Sequence, residues 1–118
     1  MDTRFAPELG QERDHELATA SFDRSGRRLT VYLTGELDAS STPAVTDAIL
    51  EHIRPDDEHL SLELSALAFC DSSGLMMVFR LHELAAEAGL RFALFQPTPP
   101  VRRVLDICDP NGVLKIRS

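Results

Sequence analysis

Leu60-Ser61-Leu62-Glu63-Leu64, followed by Phe69-Cys70-Asp71-Ser72-Ser73-Gly74-Leu75, is the stretch that decides the fold. In the first five residues leucine alternates with a polar residue, the period of a strand with one buried face. From about Ser72 to Ala88 the chain is rich in Leu, Met, Ala and Glu, and Gly89 ends that run as a helix C-terminus. A strand that runs into a helix is the repeating unit of a sheet with parallel neighbours.

Upstream, Leu29, Val31 and Leu33 alternate with Thr30, Tyr32 and Thr34, giving a second strong strand. Leu17 to Phe22 reads as a shorter strand, and Asp23-Arg24-Ser25-Gly26 as the turn of an opening hairpin. Gly35-Glu36-Leu37-Asp38 ends the strand. Thr42 is expected as the N-cap of a first helix, with Pro43 at its first position. Val45, Ala48, Ile49, His52 and Ile53 recur at helical spacing, and Pro55 stops them. Downstream, Phe92-Ala93-Leu94-Phe95 reads as a strand buried on both faces. Thr98-Pro99 opens a third helix with Val101, Val104, Leu105 and Cys108. Val113 to Ile116 is expected as a terminal edge strand. The order β-β-α-β-α-β-α, with a last β, predicts an α/β fold: a mixed four- to five-stranded sheet with helices mainly on one face.

The chain has 118 residues, enough for one domain. Residues 1–15 are polar and without period, and read as a flexible N-terminal arm; residues 16–118 read as the domain. No apolar run reaches the roughly 18–20 residues that span a bilayer, and the first residues carry no signal-peptide core. The expected location is the cytoplasm, with no membrane partner. Two cysteines make neither a disulfide framework nor a four-ligand zinc site. No metal-ligand spacing joins the four histidines to them, so no metal or other cofactor is expected.

Net charge is 12 − 19 = −7. From Gly35 to Asp71 there are nine acids against Arg54 alone, a local net of −8. Residues 101–118 carry a net of +2, from four cations against Asp106 and Asp109. So acidic a middle would repel phosphates, and no nucleic-acid partner is expected. The acidic run is either a solvated surface or a docking face for a basic protein.

The functional candidate is the junction at Asp71-Ser72-Ser73-Gly74, at the carboxyl end of a strand, where parallel α/β sheets gather their ligands. The residues leave three readings. In one, Asp71 or Ser72 merely caps the helix. In the second, a serine is a phosphoacceptor, because a helix N-terminus tolerates an added anion. In the third, a serine is a catalytic nucleophile. The third lacks both the G-x-S-x-G elbow and an evident histidine base.

With these residues the sequence resembles the STAS-domain anti-sigma factor antagonists. The likeness covers about residues 16–118. It is carried by Leu33-Thr34-Gly35-Glu36-Leu37-Asp38, Leu60-Ser61-Leu62-Glu63-Leu64, Phe69-Cys70-Asp71-Ser72-Ser73-Gly74-Leu75 and Pro99-Pro100-Val101-Arg102-Arg103-Val104-Leu105, in that order. The resemblance implies a single STAS-type domain and a partner switch. The unphosphorylated antagonist binds an anti-sigma factor that is also a serine kinase of GHKL type, and a sigma factor is released. The kinase phosphorylates the serine after the motif aspartate, here Ser72, and a phosphatase reverses it. Asp38, Asp71, Ser73, Gly74 and Leu75 would form or shape the partner-binding face. The antagonist itself is no enzyme. The alternative is a non-enzymatic STAS scaffold or sensory subunit of a multiprotein complex; a lone short chain argues against a module fused to a transporter.

Met76 and Met77 stand where the family often has a small and then an aliphatic residue. They read as core fillers or as soft contact residues. Cys70 and Cys108 read as core thiols. Arg102 and Arg103 read as paired with nearby acids or solvated.

Overall fold

The computed structural model describes residues 17–118, and these described residues form eight elements. They are β1 (Thr19–Ser25), β2 (Arg28–Leu37), α1 (Thr42–His52), β3 (His59–Cys70), α2 (Ser72–Glu87), β4 (Arg91–Phe95), α3 (Pro99–Cys108) and β5 (Ile116–Arg117). The expected arm at 1–15 lies outside the described residues. The five strands make one sheet in the order β1-β2-β3-β4-β5, with β1 antiparallel to β2 and every other pair parallel. The expected α/β class is the one observed.

Strand order follows chain order. Each β-α-β crossover therefore steps in the same direction, and its right-handedness puts each helix on the same face. That face supplies Leu29, Val31, Leu33 and Leu37 from β2, and Leu60, Leu62, Leu64 and Leu67 from β3. Val45 and Ile49 of α1, Val78, Leu81 and Ala85 of α2, and Val101 and Leu105 of α3 close over them. At about 25 cal/mol per Å² of buried apolar surface, this layer is the main source of stability. The hairpin is pinned to α1 on the same side. Phe22 stacks on His52 with ring centroids 3.6 Å apart. The Arg24 guanidinium meets the buried Asp57 carboxylate, which also accepts from the Arg54 backbone N–H at 2.8 Å.

β3 runs six residues beyond the alternation seen in the sequence. Two extra residues are taken up in its pairing with β2: Tyr32 faces Glu63 but Thr34 faces Ala66, and Gly35 faces Leu67 but Glu36 faces Phe69. The buried positions therefore step from Leu60, Leu62 and Leu64 to Leu67 and Cys70. The period changes from two to three at each irregularity, while the strand continues. Gly35, at the second irregularity, takes φ +82, a backbone conformation that side chains resist.

Several boundaries differ from expectation. β1 starts at Thr19, not Leu17, and extends to Ser25, because the turn is the two-residue Gly26-Arg27; Leu17 makes only an isolated bridge to Glu36. Ser41, not Thr42, is the N-cap of α1, because Thr42 N–H is already bonded to Asp38 O at 3.0 Å; Pro43 then falls at the second helical position. Phe92 and Leu94 are buried but Ala93 and Phe95 only half-buried, since helices cover one face of the sheet alone. β5 is Ile116–Arg117, and Val113 is exposed. Cys108 is exposed at the end of α3, with Leu105 taking the inward position. Met77 is buried, and Met76 points to solvent.

The first turn of α2 sits tightly against the sheet. A Cβ at Gly74 would stand 2.7 Å from both Cys70 Sγ and the Leu37 carbonyl oxygen, closer than any carbon tolerates. Gly74→Ala is expected to destabilise the fold by about 1–3 kcal/mol, as overpacking does. The urea midpoint should fall accordingly, and an unchanged midpoint would show that the turn has room. Beneath that turn, burial, followed by the charge of Asp71 and the neighbouring Cys108, pushes the Cys70 thiol up to about 12. Since the thiolate is the reactive form, Ellman's reagent at pH 8 should titrate Cys108 in the folded chain, and Cys70 only after denaturant is added. Two fast thiols in the native protein would contradict the packing described.

Candidate functional site

Two loops meet at the carboxyl edge of the sheet. β2 and β3 are adjacent and parallel, with Glu36 opposite Phe69 and Leu37 opposite Cys70. The loops that leave them, Asp38–Ser41 and Asp71, therefore emerge side by side. Asp71 N–H donates to Leu37 O at 3.1 Å and ties the two exits together.

Asp38 organises the first loop. Its Oδ1 accepts from Ser40 Oγ at 2.6 Å, Ser40 N at 3.0 Å and Ser41 N at 3.2 Å. The bond from the Ser40 hydroxyl leads in holding the Asp38 carboxyl below its ordinary range, with the Ser40 and Ser41 amides adding to it and partial desolvation opposing. The backbone carbonyl of Asp38 also accepts from Ser41 N and Thr42 N. The buried Ser41 hydroxyl turns back toward the carbonyls of Glu36 and Asp38 instead of capping α1.

Asp71 caps α2. Its carboxylate accepts from Gly74 N–H at 3.0 Å, satisfying one of the free amides of the first turn. Of the two expected capping candidates it is the aspartate that caps, which leaves the Ser72 hydroxyl without that duty. Ser72 is the first residue of the helix and is exposed; Ser73 is half-buried. Gly74 and Leu75 are buried, so their part in any contact lies in the turn they shape. The structure thus brings Asp38, Asp71, Ser72 and Ser73 to one edge and sets Gly74 and Leu75 beneath it.

Two large apolar side chains close to Ser72 in sequence are exposed. Met76 is 71% exposed and lies four residues after Ser72, on the same helix face one turn along. Phe69 is 42% exposed at the end of β3. By sequence Met76 is either a core filler or a contact residue, and nothing in the sequence marks Phe69 as a surface residue. Phe69 follows both irregularities of β3, where simple alternation no longer tells in from out. A third loop joins the same edge: Thr98, ahead of α3, donates through Oγ1 to Leu67 O at 2.8 Å. The edge carries carboxylates, hydroxyls and exposed apolar groups around a helix N-terminus. Among the described residues no three side chains of metal-ligating type are grouped, and no helix is long and apolar enough to cross a membrane.

Comparison with known proteins agrees with this arrangement. The family model described as "Mlab, STAS domain" matches residues 20–115. An anti-sigma F factor antagonist from Paenibacillus polymyxa is 38% identical over 89 residues, covering 75% of this chain and 74% of that protein. The crystal structure of an anti-sigma factor antagonist from Mycobacterium paratuberculosis has the same fold, with a TM-score of 0.75 over 85% of each chain at 22% identity. The Bacillus cell fate determinant SpoIIAA in its phosphorylated form superposes with a TM-score of 0.61 at 26% identity, covering 85% of this chain and 92% of that one. By its sheet order, its motif and these matches, the chain belongs to the STAS-domain family of anti-sigma factor antagonists.

Proposed function

We propose that this chain works by partner switching: unphosphorylated, it binds an anti-sigma factor that is also a GHKL-type serine kinase, and thereby frees a sigma factor. Phosphorylation of Ser72 by that kinase ends the complex, and a phosphatase restores it. The carrying observation is the exposed Ser72 hydroxyl at the first position of α2, beside an aspartate whose carboxylate is already bonded to the helix. Ser73, half-buried, is the poorer acceptor. That a 26% identical relative, SpoIIAA, exists in a phosphorylated form supports the reading. In this scheme the chain supplies a surface and a phosphoacceptor, and the chemistry belongs to its partners.

A phosphate at Ser72 adds about −1.5 to −2 charges next to free helix amides, which favour an anion. The fold therefore accommodates it. The contact surface does not, because the added charge stands beside the Asp71 carboxylate. A phosphate pressed against a partner's carboxylate or apolar patch costs several kcal/mol unless paired. A cost of about 2.7 kcal/mol lowers affinity a hundredfold, enough for a switch. Phe69 and Met76 would add apolar contact area beside the acceptor.

Ser72→Ala should bind the kinase constitutively and resist phosphorylation, whereas Ser72→Asp should bind about a hundredfold more weakly in calorimetric titration. Ser73→Ala should still accept one phosphate, read by intact mass. Equal affinity of the Ser72→Ala and Ser72→Asp variants would sink the switch. A chain that is never phosphorylated in its host would favour the constitutive scaffold instead.

A further inference from the structure

The groove at the amino end of β4 carries a feature the partner switch does not use. It has a volume of about 530 Å³ and is walled by Arg28, Arg91, Lys115 and Arg117, with no carboxylate among its lining residues. The chain as a whole is at −7, so this is its electrostatic exception. Among the described residues none of these four cations has a carboxylate within 4 Å; the cations that do are Arg24, Arg27, Arg80 and Arg102. Arg28 donates only to a neutral partner, Ser61 Oγ, at 3.0 Å.

Register explains the clustering. Arg28, His59 and Arg91 are aligned across β2, β3 and β4 on the face without helices, opposite the Leu29, Leu60 and Phe92 row. Arg117 pairs with Phe95 on the same face, two residues beyond Lys115. β5 pairs with β4 only at Leu94 and Phe95, so the groove passes round the edge at Arg91–Ala93 to the helix side, where His82 and Phe92 line it. There His82 Nδ1 is buried without a hydrogen-bond partner, the one such side-chain atom among the described residues. A buried polar atom of this kind calls for a partner.

We propose that this groove binds a small soluble molecule bearing at least two phosphate groups. Arg28, Arg91, Lys115 and Arg117 together carry four positive charges, about twice what one phosphate dianion neutralises, so a single phosphate leaves half of that charge uncompensated. Like charges crowded without counter-charge repel one another, and a bound polyanion removes that repulsion. The volume lies within the range of small-molecule sites, and Phe92 and Phe95 offer apolar walls to the ligand's body.

The test is calorimetric titration of the full chain with sodium pyrophosphate at low ionic strength. Saturable one-to-one binding is expected, weakened about tenfold or more by Arg91→Ala and by Lys115→Ala, and unchanged by Arg80→Ala, which removes the same charge from an exposed site on α2. No saturable heat overturns the proposal. So does an equal loss in Arg80→Ala, or equal binding of sulfate, either of which marks charge attraction without a site. Capture by phosphatidic acid vesicles in the absence of pyrophosphate binding would assign the patch to a lipid surface and overturn it as well. Ser72→Ala should bind pyrophosphate as the parent chain does, so this outcome is independent of the switch.

Discussion

The parallel pairing of β2 with β3 is the constraint on which the rest of the molecule depends. It places Leu37 beside Cys70, and the Asp71 amide on the Leu37 carbonyl draws the two exits into contact. That same carbonyl lies under Gly74, so the strand pair also fixes the height of α2 above the sheet. A side chain at position 74 would lift the helix and with it the exposed hydroxyl at its start. Ser72 is therefore held by backbone geometry two elements deep, and the carboxylates of Asp38 and Asp71 are each occupied in shaping their own loop.

Chain-order strand pairing separates the two faces of the sheet and, with them, two kinds of chemistry. Right-handed crossovers that all step one way stack the helices on one side and, among the described residues, leave the other to strand side chains. No strand order reverses, so there is no crevice of the kind that opens between diverging helices in doubly wound sheets. The carboxyl edge is a surface of short loops, suited to meeting another protein. The helix-free side keeps Arg28, Arg91, Lys115 and Arg117, none of which has a carboxylate within 4 Å among the described residues.

Much of this was legible in the sequence. The alternation in Leu29–Leu33 and Leu60–Leu64 located two central strands, and Gly89 marked the end of α2. The motif at Asp71-Ser72-Ser73-Gly74 indicated both the cap and the exposed serine. What escaped reading has physical causes. β3 continues through two irregularities that change its inward period, so Leu67, Phe69 and Cys70 fit no simple template. Cys108 falls on the apolar side of its helix by spacing, yet it sits where α3 ends and the cover runs out. The N-cap of α1 moved by one residue because Asp38, not Thr42, controls that turn. The basic groove draws on β2, β3, β4 and the C-terminal segment, residues far apart in sequence that register alone aligns.

The sequential sheet also bears on how the chain is made. During synthesis from the N-terminus, β1 and β2 form a hairpin from neighbouring residues, and each later strand docks on the edge left by the one before it. Among the described strands none has to be inserted between two already paired. Synthesis order and assembly order coincide, which limits the time for which an unpaired edge is exposed to other nascent chains.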